Sequence, residues 1–248
     1  MLNYLHLYFS LKINPTQIAD FRGAFISLAM RSNMDDVALS YLDNRQYNNG
    51  EAGALITRYP RVQFRVENGC ATIWAINEGV PVIQQMIQDG LLELFEMYGA
   101  KIPLEPATWP KAGNVVPKVI TKKIYTYRLA YYMPFDHRSD HEYHAAPTMT
   151  DKIRILDHAL TSGLAISLSE LGIGESDVKK IRVQMLDIIK TDTLSYKVKA
   201  GSDRNYTKVY DLLISTNVLI PDGYSLGRRK AYGFGVCIRM DSESSLKG

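Results

Sequence analysis

The chain is poor in cysteine. Among its 248 residues only Cys70 and Cys237 carry thiols, too few for a disulfide framework and without the paired spacing of a zinc ribbon. A reducing cytoplasm is therefore the expected setting. Long hydrophobic runs are missing too. No stretch of about 18 apolar residues occurs, and residues 1–12 alternate apolar with polar instead of forming a signal-peptide core, so neither secretion nor a membrane partner is expected. Net charge is scarce as well: 29 Lys and Arg against 26 Asp and Glu leave +3, too little alone to imply a polyanionic partner. Histidine is the last scarcity, with five in the chain and none between His6 and His137.

What is present is ordinary core material, 46% apolar against 22% charged, in a length that fits two domains. The basic residues are clustered. Arg58, Arg61 and Arg65 crowd one segment, Lys118, Lys122, Lys123 and Arg128 a second, and Arg228, Arg229, Lys230 and Arg239 a third. Acids gather instead at Asp89, Glu93 and Glu96, read as the outer face of one helix. A basic groove and scattered solvated faces both fit this distribution.

Residues 3–13 alternate as a half-buried strand, with Leu5, Leu7, Phe9 and Leu11 on one face and Tyr4, His6, Tyr8 and Lys12 on the other. Asn14-Pro15 then opens a helix to about Arg31, carried by Ile18, Phe21, Phe25 and Leu28. A polar loop with Asn44, Asn48, Asn49 and Gly50 follows. Val62 to Ile76 reads as a hairpin turned by Asn68-Gly69, and a second helix, from Val82 on, is expected to end at Gly99. The prolines between Lys101 and Pro117 argue against any regular element there. Next come a strand-like run from Val119 to Tyr132, a polar segment, and a helix from Thr150 to Leu171 with Ile153, Leu156, Leu160, Leu164 and Leu168 on its apolar face. Strands are expected at 181–189, 194–198 and 209–218, the last two joined at Gly201 to Asn205, with a final strand at 236–240 after a glycine-rich stretch. The order predicts an α+β fold of two tandem ferredoxin-like (RRM-like) halves with antiparallel sheets: 1–100, a Pro/Gly-rich linker at 101–117, and 118–248 without a long second helix.

Two groups of side chains carry chemistry of their own. His137, His141 and His144 lie at helical spacings beside Asp136, Asp140 and Glu142; such imidazoles can transfer protons, bind a divalent ion, contact RNA, or simply be solvated. Tyr125, Tyr127 and Tyr131 share a strand face by alternation, beside Lys123, which fits base stacking or core packing equally. His6 reads as structural, and His158 as a partly buried helical residue.

The stretch Pro221-Asp-Gly-Tyr-Ser-Leu-Gly-Arg-Arg-Lys-Ala-Tyr-Gly-Phe-Gly235 resembles the C-terminal glycine-rich signature of CRISPR-associated repeat-processing endoribonucleases of the RAMP superfamily. Arg58-Tyr59-Pro60-Arg61-Val62-Gln63-Phe64 is similar to the Arg-Tyr-Pro strand of a branch common in Bacteroidetes-type genomes, and 155–173 to its long helix. The resemblance implies metal-independent cleavage without a cofactor, in which a ribose 2′-hydroxyl attacks the adjacent phosphate. It implies CRISPR repeat RNA as partner, with other CRISPR-associated proteins or a second copy as further candidates. By it, RNA contacts fall to Arg58, Arg61, Arg65, Lys122, Lys123, Gly227, Arg228, Arg229, Lys230, Gly233 and Gly235. Similar members place a histidine after the first helix. Here that region reads Tyr41-Leu42-Asp43-Asn44-Arg45-Gln46-Tyr47, so Arg45 and Tyr47 stand in its place and the histidine cluster becomes the other catalytic candidate. Loss of that histidine fits a silent RNA-binding subunit of a CRISPR ribonucleoprotein as the alternative function, and a metal-dependent nuclease built on the cluster as a third.

Overall fold

The computed structural model describes residues 2–107, 111–115, 117–120, 122–197 and 204–240. Two compact units emerge. One holds Met1–Val115, Tyr196–Arg204 and Ala231–Gly233; the other holds Val116–Ser195, Asn205–Lys230 and Phe234–Gly248.

The first unit begins with β1 (Leu2–Lys12) and continues through α1 (Ile18–Arg31) and α2 (Asp36–Asp43). A short hairpin, β2 (Arg45–Asn48) and β3 (Glu51–Leu55), occupies what reads from sequence as a polar loop, because Asn49 and Gly50 supply the positive φ values of a tight turn. Then come β4 (Val62–Glu67), β5 (Cys70–Ile76) and α3 (Gly79–Gln88). Asn68 and Gly69, at φ 52 and 73, make the β4–β5 turn that the sequence announces. The helix α3 stops earlier than expected. Gly90 takes φ 67 and ends it, while Gly99 turns a two-residue hairpin between β6 (Glu96–Met97) and β7 (Ala100–Lys101). The acids Asp89, Glu93 and Glu96 are therefore exposed but do not share a helix: Asp89 follows α3, Glu93 lies in a short 3-10 turn (Leu91–Leu94) and Glu96 on β6.

The sheet order is β4-β5-β1-β8, all antiparallel, where β8 (Lys111–Val115) falls inside the stretch expected to hold no regular element. Edge position explains it: the strand lies between Pro110 and Pro117 and needs a ladder on one side only. Helices α1 and α3 bury one face of this sheet, with Phe21 within 5.5 to 6.3 Å of Phe9, Phe25, Phe64 and Phe95.

The second unit repeats the order. After β9 (Lys118–Val119) come β10 (Tyr125–Tyr132), α4 (His137–Ala145), α5 (Met149–Glu170), α6 (Glu175–Val178), β11 (Val183–Lys197), β12 (Arg204–Thr216), β13 (Val218–Leu219) and β14 (Val236–Arg239). The sheet reads β11-β12-β10-β14, so each unit carries the 2-3-1-4 strand order of a ferredoxin-like fold. Two expectations are corrected. The run 119–132 is two strands, β9 and β10, and the two strands foreseen at 181–189 and 194–198 are one, β11. The polar segment after Asp136 is a helix, in keeping with the spacing of its histidines, and Asp136 caps it through Ser139 in a reciprocal pair. Residues 201–203 of the expected turn lie outside the described residues.

The leucine row Leu156, Leu160, Leu164 and Leu168 of α5 is buried, as its four-residue spacing requires, whereas Ile153 is exposed. Tyr125 and Tyr127 are buried, but a register break between Leu129 and Tyr132 puts Tyr131, at φ 52, on the exposed side. A bulge reverses the alternation that had joined the three tyrosines.

Candidate functional site

The glycine-rich segment stands where the second helix of the second unit would be, between β12 and β14. It is irregular but not loose. Leu226 N donates to Gly235 O at 2.8 Å, Gly235 N to Ala130 O at 3.0 Å, Arg228 N to Met133 O at 2.9 Å, and Cys237 N to Tyr224 O at 2.7 Å. The Tyr224 hydroxyl donates to Ser167 O on α5 at 3.1 Å, tying the start of the segment to the long helix. Three glycines make this course possible. Gly227 (φ 83) lies where a Cβ would come 2.6 Å from the Tyr132 ring, and Gly235 (φ 70) where one would overlap the Leu226 carbonyl. Gly233 (φ 75) is packed on Arg65 and Phe64, in the first unit to which residues 231–233 belong.

Beside the segment, wholly within the second unit, lies a cavity of about 620 Å³. Arg154, His158 and Ser162 line it from one i, i+4 row of α5. Phe135 follows β10, Ser139 and Glu142 come from α4, and Gly227, Arg228 and Lys230 close it from the glycine-rich side. Arg154 and Arg228 keep most of their reach: their side chains are 75% and 54% exposed and their carboxylate neighbours, Asp151 and Asp136, stand 3.3 and 3.5 Å away. Lys230 is different. Burial holds its ammonium below the usual lysine range, with Glu170 opposing, and its Nζ donates to Ser167 Oγ at 3.3 Å. Glu142, the acid of the cavity wall, is paired with Arg138 at 3.1 Å. The wall therefore combines three cations, an imidazole and an apolar surface. His158 is exposed there rather than partly buried.

The first unit assembles a second polar group around Asp43, which sequence reasoning passed over. Arg22 Nη2 donates to Asp43 Oδ1 and to its carbonyl, both at 2.7 Å, and its guanidinium lies 4.8 Å over the Tyr232 ring. Tyr47 donates to Asp43 Oδ2 at 2.9 Å, and Arg45 Nε stands 3.4 Å from the same oxygen. Burial, then the Asp43 charge, pushes the Tyr47 phenol well above its ordinary range, so it holds its proton throughout the neutral range. Arg22 had one signal in the sequence: an arginine on the face of α1 that carries Ile18, Phe21 and Phe25 has to be buried with a partner.

The other residues singled out from sequence are dispersed. Arg58 bonds the C-terminal end of α2 through Ser40 O at 2.7 Å and lies 4.6 Å over Tyr41. Arg61 pairs with Glu78 at 2.7 Å. Arg65 is buried, donating to Gln63 Oε1 at 2.6 Å and stacked 4.6 Å from the Trp74 ring. Lys122 and Lys123 are exposed, Lys123 Nζ lying 5.0 Å from the Tyr125 ring. Arg229 adopts φ 54 within the glycine-rich segment. His141 and His144 are exposed on α4, with His144 Nε2 3.6 Å from Asp140; His137 opens that helix. Among the described residues no three metal-ligating side chains converge, and no helix is long and apolar enough to cross a membrane.

Residues 1–102 match the family model of the Cas6b N-terminal domain. No curated protein matches the chain. Among solved structures, a crystal structure of Cas6b superposes with a TM-score of 0.70 at 18% identity, covering 96% of this chain and 99% of that one. A Cas6b described as a CRISPR RNA processing endoribonuclease gives 0.67 at 17%, with the same coverage. Csf5, a type IV Cas6 crRNA endonuclease, gives 0.62 at 10% identity, over 97% and 100%. Residues 1–102 are thus similar to the Cas6b N-terminal domain, and over nearly its whole length the chain has the double ferredoxin-like fold of these structures.

Proposed function

We propose that the chain binds CRISPR repeat RNA and processes precursor transcripts into guide RNAs by cutting within the repeat. The observation that carries this reading is the glycine-rich segment: a backbone held by glycines where no Cβ fits, with Arg228, Arg229 and Lys230 in one run beside a cation-walled cavity. Glycine lets a phosphodiester approach the main chain, and adjacent cations neutralise it. The relatives named as processing endoribonucleases and the Cas6b domain model support the same activity.

The chemistry we assign needs no metal. The ribose O2′ loses its proton and bonds to phosphorus, the P–O5′ bond breaks, and O5′ takes up a proton, leaving a 2′,3′-cyclic phosphate and a 5′-hydroxyl. The negative charge that builds on the phosphoryl oxygens calls for preorganised cations, for which Arg228 and Lys230 are the proposed carriers in the second unit, Arg45 being the separate candidate of the first. Proton transfer calls for groups titrating near neutrality. Tyr47 is unsuited, given its raised phenol. His137, His141 and His144 remain the imidazole reserve, on a helix that borders the cavity through Ser139 and Glu142.

A second reading, a silent RNA-binding subunit, is favoured by one observation: no histidine lies between His6 and His137. One incubation separates the two. Purified protein is mixed with its repeat RNA, with and without chelator, and with the same repeat carrying single 2′-deoxy substitutions. Cleavage that resists chelator and is abolished by one deoxy position supports the enzyme, whereas binding without cleavage of any repeat establishes the silent subunit.

A further inference from the structure

We infer that the cavity on α5 is a single-nucleotide pocket, which takes one unstacked nucleotide of the bound RNA with its base on the apolar wall and its phosphate among Arg154, Arg228 and Lys230. This rests on the RNA-binding reading above but assigns to the chain a site that the glycine-rich segment alone does not contain.

The size fits, since pockets for small ligands run from about 300 to 1,000 Å³ and this one is about 620 Å³. Its chemistry is divided. Phe135 and Ile166 present apolar surface, and Ile166 is 60% exposed, an apolar side chain of α5 left without cover. The cations come from two elements, Arg154 from α5 and Arg228 and Lys230 from the glycine-rich side. A ligand that satisfies both parts is flat and apolar at one end and anionic at the other, and an unstacked nucleotide is such a ligand. His158 and Ser162, one turn apart on the same row, supply a donor and an acceptor for base or ribose edges. The half-buried Lys230, whose Nζ lies against Ser167 of α5, fits the anion as well, since a charge disfavoured by burial is the one a phosphate restores most.

On the α5 row that flanks the buried leucines, Ala159 and Gly163 keep the wall open, and a Cβ on Gly163 meets no atom within 4 Å. Gly163→Leu therefore fills the cavity without touching the core, and leucine suits a helix better than glycine, so the melting temperature is not lowered. The test titrates the four nucleoside 3′-monophosphates, the matching nucleosides, and the repeat RNA into the parent and into Gly163→Leu. We expect at least one nucleotide to bind the parent and not the variant, its nucleoside to bind at least tenfold more weakly, and the variant to lose repeat affinity by about 5- to 150-fold, the span that one stacked base represents. Equal repeat affinity in both proteins, with no nucleotide binding to the parent, overturns the pocket. A parent that takes the nucleotide but ignores repeat RNA keeps the pocket and overturns the repeat-processing reading instead.

Discussion

Leu226 donates its amide hydrogen to the Gly235 carbonyl at 2.8 Å, and the same approach leaves no room for a methyl group on Gly235. The two ends of the glycine-rich segment are thereby fastened to each other. Gly235→Ala should lose about 1–2 kcal/mol to the left-handed backbone alone and more to the overlap with Leu226. Gly172→Ala is the control, because Gly172 (φ 83) has nothing within 4 Å of its missing Cβ and bears only the backbone term. Urea titrations of both variants decide; equal losses would show that the Leu226 approach relaxes freely.

Asp43 is predicted to be structural first. It is buried and satisfies Arg22, so Asp43→Ala leaves a buried guanidinium without its carboxylate and should cost about 3–5 kcal/mol. Arg45→Ala, removing a partly exposed arm 3.4 Å from the same carboxylate, should cost under about 1 kcal/mol while weakening RNA binding. If the two variants unfold at the same denaturant concentration, the Asp43 hub is not what holds this corner.

Lys230 gives a pH dependence with a definite sign. Its folded-state pKa lies below the unfolded value, so between the two the unfolded chain binds more protons and stability rises with pH. Lys230→Met removes that slope. The variant should melt higher than the parent at pH 7, with the difference shrinking as pH climbs toward the unfolded lysine value of 10.5, and it should bind RNA less tightly. A melting difference independent of pH would remove the buried-charge explanation.

Arg228 and Arg229 should act on phosphate and not on sequence. Alanine at either should weaken binding to unrelated single strands and to the repeat alike, lowering the salt slope by about 0.7 per lost contact. Arg229→Gly should bind like Arg229→Ala yet be the more stable, because Arg229 holds φ 54. An unchanged slope in a salt titration would place these side chains away from the RNA.

The histidines of α4 are tested singly. Replacing a general acid or base with alanine commonly costs about a hundredfold to ten-thousandfold in rate, whereas losing an RNA contact mainly weakens binding. We expect at least one of His137→Ala, His141→Ala and His144→Ala to fall in the first class, in single-turnover cleavage at saturating protein. Three variants that cleave like the parent would put the proton carriers elsewhere in the chain.

Local rules made much of this fold legible. Asn68-Gly69 announced its hairpin, the leucine row announced the buried face of α5, and the succession of strands and helices announced two ferredoxin-like halves with antiparallel sheets. What stayed hidden was non-local. Nothing in Tyr125-Thr-Tyr-Arg-Leu-Ala-Tyr-Tyr132 marks where the ladder skips, so alternation alone puts Tyr131 on the wrong face. The strand Lys111–Val115 forms only because β1 offers it an edge. The cavity escaped for a similar reason: Arg154, His158 and Ser162 lie on the solvent side of an amphipathic helix, the position periodicity treats as neutral, and only the approach of α4 and residues 227–230 brings them into one cavity wall.

The hydrogen bonds that pin the glycine-rich segment bear on the thermodynamics of its ligand. With Leu226, Arg228, Gly235 and Cys237 each donating to a fixed carbonyl, the segment has surrendered its backbone freedom before any RNA arrives, and binding need not order it again. Its amides should accordingly exchange with deuterium as slowly as those of the neighbouring strands, despite the lack of regular structure, and added RNA should slow them little. The favourable entropy of released counterions would then reach the binding free energy largely undiminished by loop ordering.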